Sequence, residues 1–100
     1  MFIIQLTFKV PLVEVDKYVQ SHRDFLDNYY KQGLLILSGP LKPRTGGIII
    51  AAIKDRARVE AIFAQDPYRL ADVADFQFIE FDAVKHCEAL GELIHKAERL

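Results

Sequence analysis

The sequence predicts an α+β fold in which four strands and two main helices follow the order β-α-β-β-α-β. Three observations predict it: an alternating apolar stretch at the start, helix-period segments after the first and third strands, and a glycine-containing connection between two apolar runs. The chain has 100 residues and is 51% hydrophobic, with only five glycines and four prolines. These values indicate one folded domain over residues 1–100, with a core at 2–82 and a helical tail at 87–100.

A change of period at Pro11 separates the first strand from the first helix. Residues 2–10 alternate between apolar and more polar positions, as a half-buried strand does. Residues 13–32 follow the helical period and place apolar side chains on one face and mostly charged ones on the other. Gly33 stands where a left-handed residue is expected to end this helix.

The next two strands are predicted at residues 34–38 and 48–53, and both are apolar on both faces. Residues 41–47 between them, which end in two glycines, predict a hairpin connection with a basic tip. The second and third strands are therefore expected to form a hairpin.

A second helix is predicted from Asp55, a plausible N-cap, to about residue 65, because Pro67 pushes the residue before it out of the helical region. Residues 75–81 alternate as a fourth strand. The tail from about residue 87 has the apolar spacing of a short amphipathic helix, with Leu90, Leu93, Ile94, Ala97 and Leu100 on one face.

This order of elements is that of the ferredoxin-like, split-βαβ fold, an antiparallel sheet with both helices on one face. The other face of such a sheet is uncovered, yet strands two and three are apolar on both sides. Since an exposed apolar patch of this size indicates a partner, we expect a homodimer whose sheets close face to face into an α+β barrel.

His22 breaks the pattern of the first helix, because it lies near the centre of the apolar face. A buried imidazole needs a hydrogen-bond partner. Asp66 extends the apolar face of the second helix by one more turn, so both side chains are expected to meet in the layer between helices and sheet. We place Asp66 at the C-terminal end of its helix, where a carboxylate is unfavourable and a donating partner would explain it.

Two interpretations of this pair stay open. A carboxylate that fixes the tautomer of an imidazole prepares it for proton transfer. A buried histidine bonded to an aspartate is equally a core contact that fixes how two helices pack.

Several short motifs, taken in order and spacing, resemble the YciI-like (YCII-related) family over nearly the whole chain, to Phe81. They are His22 with Phe25-Leu26, Gly33-Leu34, Ser38-Gly39-Pro40, Gly46-Gly47 and Asp66-Pro67-Tyr68. The resemblance implies a dimeric α+β barrel related to muconolactone isomerases, with an active site built on a histidine and an aspartate, which here are His22 and Asp66. Asp82 departs from the pattern, since a proline is expected there.

The sequence gives less support for a functional role of the remaining candidate residues. The Ser38-Gly39-Pro40 segment is expected to end the second strand, where the backbone can approach a ligand, and it would shape a pocket together with Tyr68. Lys42 and Arg44 attract acidic groups in principle, but a solvated hairpin tip is the favoured interpretation. Gln5 and Thr7 face either a barrel interior or water. The spacing of His86, Cys87 and His95 predicts no metal site.

Composition narrows the classes of function. A net charge of −1 argues against nucleic-acid binding, and the single cysteine, Cys87, excludes an intrachain disulfide. No apolar run approaches the length of a membrane span, and no signal peptide is apparent, so we expect a cytoplasmic protein without membrane contact. No phosphate-binding or dinucleotide motif is present, so no cofactor is expected.

The leading hypothesis is a small cofactor-independent enzyme acting on a carboxylated or phenolic ring compound. His22 would move a proton in an isomerisation or elimination, and Asp66 would orient it. The alternatives are a small-molecule-binding or accessory module, and a structural homodimer in which the pair is a core contact.

Overall fold

The computed structural model describes residues 1–99, which form one four-stranded antiparallel sheet with helices on one face. The strands are β1 (Phe2–Phe8), β2 (Leu35–Pro40), β3 (Gly46–Ala51) and β4 (Ala74–Glu80). The helices are α1 (Leu12–Val15), α2 (Val19–Lys31), α3 (Arg56–Phe63), α4 (Pro67–Leu70) and α5 (Gly91–Arg99), with 3-10 turns at Asp16–Tyr18 and Glu88–Leu90.

The strands lie in the order β2-β3-β1-β4, which confirms the predicted ferredoxin-like arrangement. In β1, Ile4 pairs with Ile49 of β3 on one side and with Phe78 of β4 on the other. The strands β1 and β4 therefore run side by side although most of the chain separates them, as the split-βαβ topology requires.

The hydrophobic core lies between the sheet and the helices. Alternate residues of β1 point into it and are buried, while Ile3, Gln5 and Thr7 point to the opposite face. The core consists chiefly of Phe2, Ile4 and Leu6 from β1, Leu35, Ile49 and Ala51 from β2 and β3, Leu26 from α2, and Val59 and Phe63 from α3.

The predicted helix boundaries are confirmed in part. Asp55 caps α3, because its side chain accepts a hydrogen bond from the backbone N–H of Ala57 at 3.1 Å. Gly33 ends α2 with a φ of +74°, a backbone conformation that glycine adopts without strain. The first helix is not continuous as predicted: a 3-10 turn at Asp16–Tyr18 divides it, and Tyr18 leaves the helical region with φ −116° and ψ 1°.

Two glycine-containing segments differ from the prediction. Gly46 and Gly47 begin β3 instead of lying in the hairpin tip. Gly39 and Pro40 are the last two residues of β2, whereas the strand was predicted to end at Ser38. Proline is tolerated there because β2 is an edge strand, where a missing N–H breaks no ladder on the open side.

The tail forms the predicted helix over Gly91–Arg99, and two residues of this helix, Ile94 and Ala97, are buried. Leu100, predicted on the apolar face of this helix, lies outside the described residues. Across residues 1–99, none of the helices combines the length and the hydropathy that crossing a membrane requires.

Candidate active site

His22 extends from the middle of α2 towards the segment that joins α3 to α4. Its Nδ1 lies 2.9 Å from each carboxylate oxygen of Asp66, and 12% of its side chain is exposed. The two side chains are therefore in contact, as expected, although they are separated by 44 positions in the sequence. Whether the pair is catalytic stays a prediction.

Asp66 is the only buried charged residue among those that the structure describes, with 0% of its surface exposed. The expected position of Asp66 at the end of the second helix is wrong, because α3 already ends at Phe63. Asp66 instead caps the N-terminus of α4: its Oδ1 accepts a hydrogen bond from the Tyr68 backbone N–H at 2.9 Å. A carboxylate is favourable at this end of a helix. Pro67 at the first helical position signals such a start in the sequence.

The hydrogen bonds of Asp66 fix the chemistry of His22. An ionised carboxylate only accepts, so the Nδ1 nitrogen of His22 carries the proton that is donated to Asp66. The neutral imidazole then has its lone pair on Nε2. This nitrogen makes no hydrogen bond to any described residue, so it is the atom that is free to accept a proton.

Tyr68 covers one face of the imidazole. The two rings are parallel within 10°, and their centroids are 4.0 Å apart. Tyr68 is only 5% exposed, and Phe8 packs against it edge to face at 5.7 Å. Burial raises the pKa of the Tyr68 phenol, an effect that the neighbouring Arg44 guanidinium partly offsets. The Tyr68 hydroxyl therefore stays neutral at physiological pH and is available as a hydrogen-bond donor.

A cavity of about 260 Å³ opens beside this ring pair. The predicted pocket residues all border it, since Ser38, Gly39 and Pro40 of β2 line it together with His22 and Tyr68. The Ser38 hydroxyl is held by the Tyr30 hydroxyl at 2.6 Å. Asp66 lies behind His22 and is not part of the wall. The remaining wall is mainly apolar and includes Leu6, Phe8, Val19, Leu26 and Ile49.

Two arginines in the cavity wall were missed or misplaced by sequence reasoning. Arg44, interpreted as part of a solvated hairpin tip, instead lines the cavity, pairs with Asp16 at 2.7 Å and lies over the Phe8 ring at 5.8 Å. Arg23 also lines the cavity. No local signal predicts the position of Arg44, because it depends on how the β2–β3 connection folds towards Asp16. Lys42 is exposed, as expected.

The candidates of the tail lie apart from this cavity. The rings of His86 and His95 pack edge to face at 6.2 Å, and Cys87 is exposed. Among residues 1–99, no three histidine, cysteine, aspartate or glutamate side chains are grouped so that they could hold a metal ion.

The fold is similar to that of a solved enzyme. The 5-chloro-2-hydroxyhydroquinone dehydrochlorinase from Burkholderia phenoliruptrix, in a complex with 2,5-dihydroxybenzoquinone, matches with a TM-score of 0.64. The match covers 89% of this chain and 98% of that chain, at 19% sequence identity. At this identity the likeness shows the α+β fold and no more.

The comparison with curated proteins gave no match. The model of the YCII-related domain matches residues 1–82, which contain all four strands and both members of the His22–Asp66 pair. The expected resemblance is therefore confirmed, and the chain belongs to the YCII-related domain family.

Proposed function

We propose that this protein is a small cofactor-independent enzyme that transfers a proton on a carboxylated or phenolic ring compound. The observation that carries the proposal is the contact of His22 with the buried Asp66 at 2.9 Å, beside a cavity that His22 itself lines. A histidine with one nitrogen fixed by a carboxylate and the other facing a cavity has the arrangement of a general base.

The reaction would begin at Nε2 of His22. This lone pair accepts a proton from a C–H or O–H group of the substrate, and Asp66 holds the imidazolium that forms. In an isomerisation the same nitrogen returns the proton to another atom of the substrate. In an elimination the electron pair that is left behind forms a double bond, and the leaving group departs with its own pair. Both reactions are balanced without a further reactant.

The size and lining of the cavity support a substrate of one ring. Sites for drug-sized ligands have volumes of roughly 300–1,000 Å³. The cavity of about 260 Å³ lies below that range. Its apolar wall suits the faces of a ring, and Ser38, Tyr68 and the arginines suit oxygen substituents at its edge.

The solved enzyme that shares this fold supports the proposed substrate class, because it acts on a ring compound. That protein is a dehydrochlorinase of a chlorinated hydroxyhydroquinone, and its structure contains a dihydroxybenzoquinone. Both compounds are single rings with several oxygens, and loss of hydrogen chloride is an elimination. The neighbour's activity therefore suggests where a search for substrates should begin.

One observation favours the structural alternative. Asp66 also caps the N-terminus of α4. This cap alone explains why a carboxylate is buried there. It does not explain why His22, and not an apolar residue, faces the cavity.

A small-molecule-binding module would use the same cavity without proton transfer.

We also propose that the protein is a homodimer through the face of the sheet that the helices leave uncovered. The strand registers place Leu37, Ile50, Ile3 and Ile79 in one row across all four strands. Leu37 is 54% exposed, and Ile79 is 38% exposed. A continuous apolar row on an open sheet supports pairing with a second copy.

The proton-transfer proposal is tested by hydrogen–deuterium exchange at carbon. Hydroxyhydroquinones, hydroxybenzoates and unsaturated lactones would be incubated with the protein in deuterated water, and loss of each C–H signal followed by NMR. For a compound that exchanges, His22→Gln should lower the rate by roughly 10²-fold or more, the usual contribution of a general base. His95→Gln, which removes an exposed histidine of the tail, is the control. Equal exchange rates in His22→Gln and wild type would refute the proposal.

A further inference from the structure

Arg44 brings a positive charge to the cavity wall. It enters the wall from the β2–β3 connection, and 36% of its side chain is exposed. Its guanidinium lies 5.8 Å from the centre of the Phe8 ring and pairs with Asp16 at 2.7 Å. Both contacts hold the side chain at the cavity and not in free solvent.

The charges that line the cavity have one sign. Its described wall contains two charged residues, Arg23 and Arg44, and no aspartate or glutamate. Asp66 is fully buried and already accepts hydrogen bonds from His22 and from the Tyr68 backbone. Asp16, which pairs with Arg44, is half exposed. A cavity with this charge distribution favours an anionic ligand.

The guanidinium suits a carboxylate in particular. Its planar fork of N–H donors matches the two oxygens of a carboxylate, which a lysine ammonium does not. Arg44 and Tyr68 line the same cavity, and the Arg44 guanidinium partly offsets the rise that burial causes in the pKa of the Tyr68 phenol. A carboxylate at Arg44 would therefore lie within the same cavity as the His22–Tyr68 ring pair.

We propose that Arg44 is the specificity-determining residue that binds a carboxylate on the ring substrate, and that Asp16 is the internal carboxylate which the substrate displaces. The inference rests on the proposed function, whose substrate class it narrows to carboxylated rings. Asp16 already pairs with one nitrogen of the Arg44 guanidinium, so it weakens the binding of any carboxylate that replaces it.

The test compares two ring compounds that differ in one charge, salicylate and its neutral amide, salicylamide. Their dissociation constants are measured by NMR titration of the wild type and three variants. Wild type should bind salicylate more tightly than salicylamide. Arg44→Gln should weaken salicylate binding by about tenfold and leave salicylamide binding within about twofold, because hydrogen bonds to a charged group are the strong ones.

Asp16→Asn should strengthen salicylate binding by about two- to fivefold, as expected for release from a partly exposed ion pair. Lys42→Gln is the matched control, since it removes the same unit of charge from the same connection but not from the cavity wall. Its salicylate affinity should equal that of the wild type. Thermal unfolding of each variant verifies that it is folded.

Three results would overturn the inference: no preference for salicylate in the wild type, equal loss of both ligands in Arg44→Gln, or a loss in Lys42→Gln as large as that in Arg44→Gln. Unchanged or weaker salicylate binding by Asp16→Asn would overturn the role of Asp16. His22→Gln should keep the preference for salicylate. Failure of proton exchange to depend on His22 is thus distinguishable from failure of Arg44 to select the carboxylate.

Discussion

Asp66 serves two neighbours with one carboxylate. It caps α4 through the Tyr68 backbone N–H and accepts the Nδ1 proton of His22, both at 2.9 Å. Tyr68, two residues after Asp66, also stacks its own ring on the imidazole. The Asp-Pro-Tyr segment therefore sets the tautomer, the orientation and one face of His22 within three consecutive residues.

We predict that Asp66→Ala destabilises the protein by roughly 3–5 kcal/mol, since it leaves two buried donors without an acceptor. Asp66→Asn should cost about 1 kcal/mol, because its amide oxygen can still accept a hydrogen bond. Urea unfolding measures both values.

Asp55→Ala is the matched control, because Asp55 caps α3 in the same way but is exposed and bonds no histidine. Loss of an ordinary cap costs about 1 kcal/mol. If Asp55→Ala and Asp66→Ala were equally destabilising, the bond to His22 would contribute nothing to the fold.

Sequence reasoning found this pair but not its geometry. The helical period placed His22 on a buried face, and the fold implied that Asp66 would come close to it. The capping role of Asp66 was missed because the apolar period of α3 continues for one turn beyond the residue at which the helix ends. Arg44 was misplaced because its position depends on contacts with Asp16 and Phe8 that no local pattern encodes.

The cavity wall formed by β1 and β3 requires the backbones of these two strands to lie close together. A Cβ atom added at Gly46 would lie 1.8 Å from the Leu6 carbonyl oxygen, so no side chain fits between β3 and β1 there. The two glycines were predicted as turn residues from their type alone. The structure instead uses Gly46 to let the end of β3 lie close to β1, which forms one wall of the cavity.

Gly46→Ala should therefore destabilise the protein by about 3 kcal/mol or more, at the upper end of the usual cost of overpacking. Gly39→Ala is the comparison, because a Cβ atom there meets nothing within 4 Å. Thermal unfolding of the two variants measures the difference. A stable Gly46→Ala variant would show that β3 can move away from β1 at little cost.

At the scale of the whole molecule, the uncovered face of the sheet is the main feature that the monomer leaves unexplained. The alternation of β1 and the double-sided apolar character of β2 and β3 predicted this face, and the strand registers define its apolar row. The alternation of apolar residues along the strands predicts that this face is covered. It does not identify the partner, because a second copy and another protein would bury the same side chains.

We predict that the wild-type protein sediments as a dimer at micromolar concentration. Leu37→Asp should shift it towards the monomer, since a carboxylate buried in an apolar interface loses its hydration. The fold should survive, because Leu37 is exposed in the monomer. Analytical ultracentrifugation measures the shift.

Val84→Asp is the control for added surface charge, as Val84 is 86% exposed and lies outside the strands. It should sediment like the wild type. A wild-type monomer at micromolar concentration would contradict the dimer.

The central claim is that His22 presents an unprotonated Nε2 to the cavity while Asp66 holds its Nδ1 proton. Nitrogen-15 NMR of the imidazole rings tests it without a substrate, because the two ring nitrogens of each tautomer have distinct shifts. The chain has three histidines, and the spectrum of His22→Gln identifies the signals of His22. We predict that neutral His22 is almost entirely the Nδ1–H tautomer and that salicylate shifts its Nε2 signal. A neutral His22 with its proton on Nε2 would contradict the account, since that nitrogen could then accept no proton from a substrate.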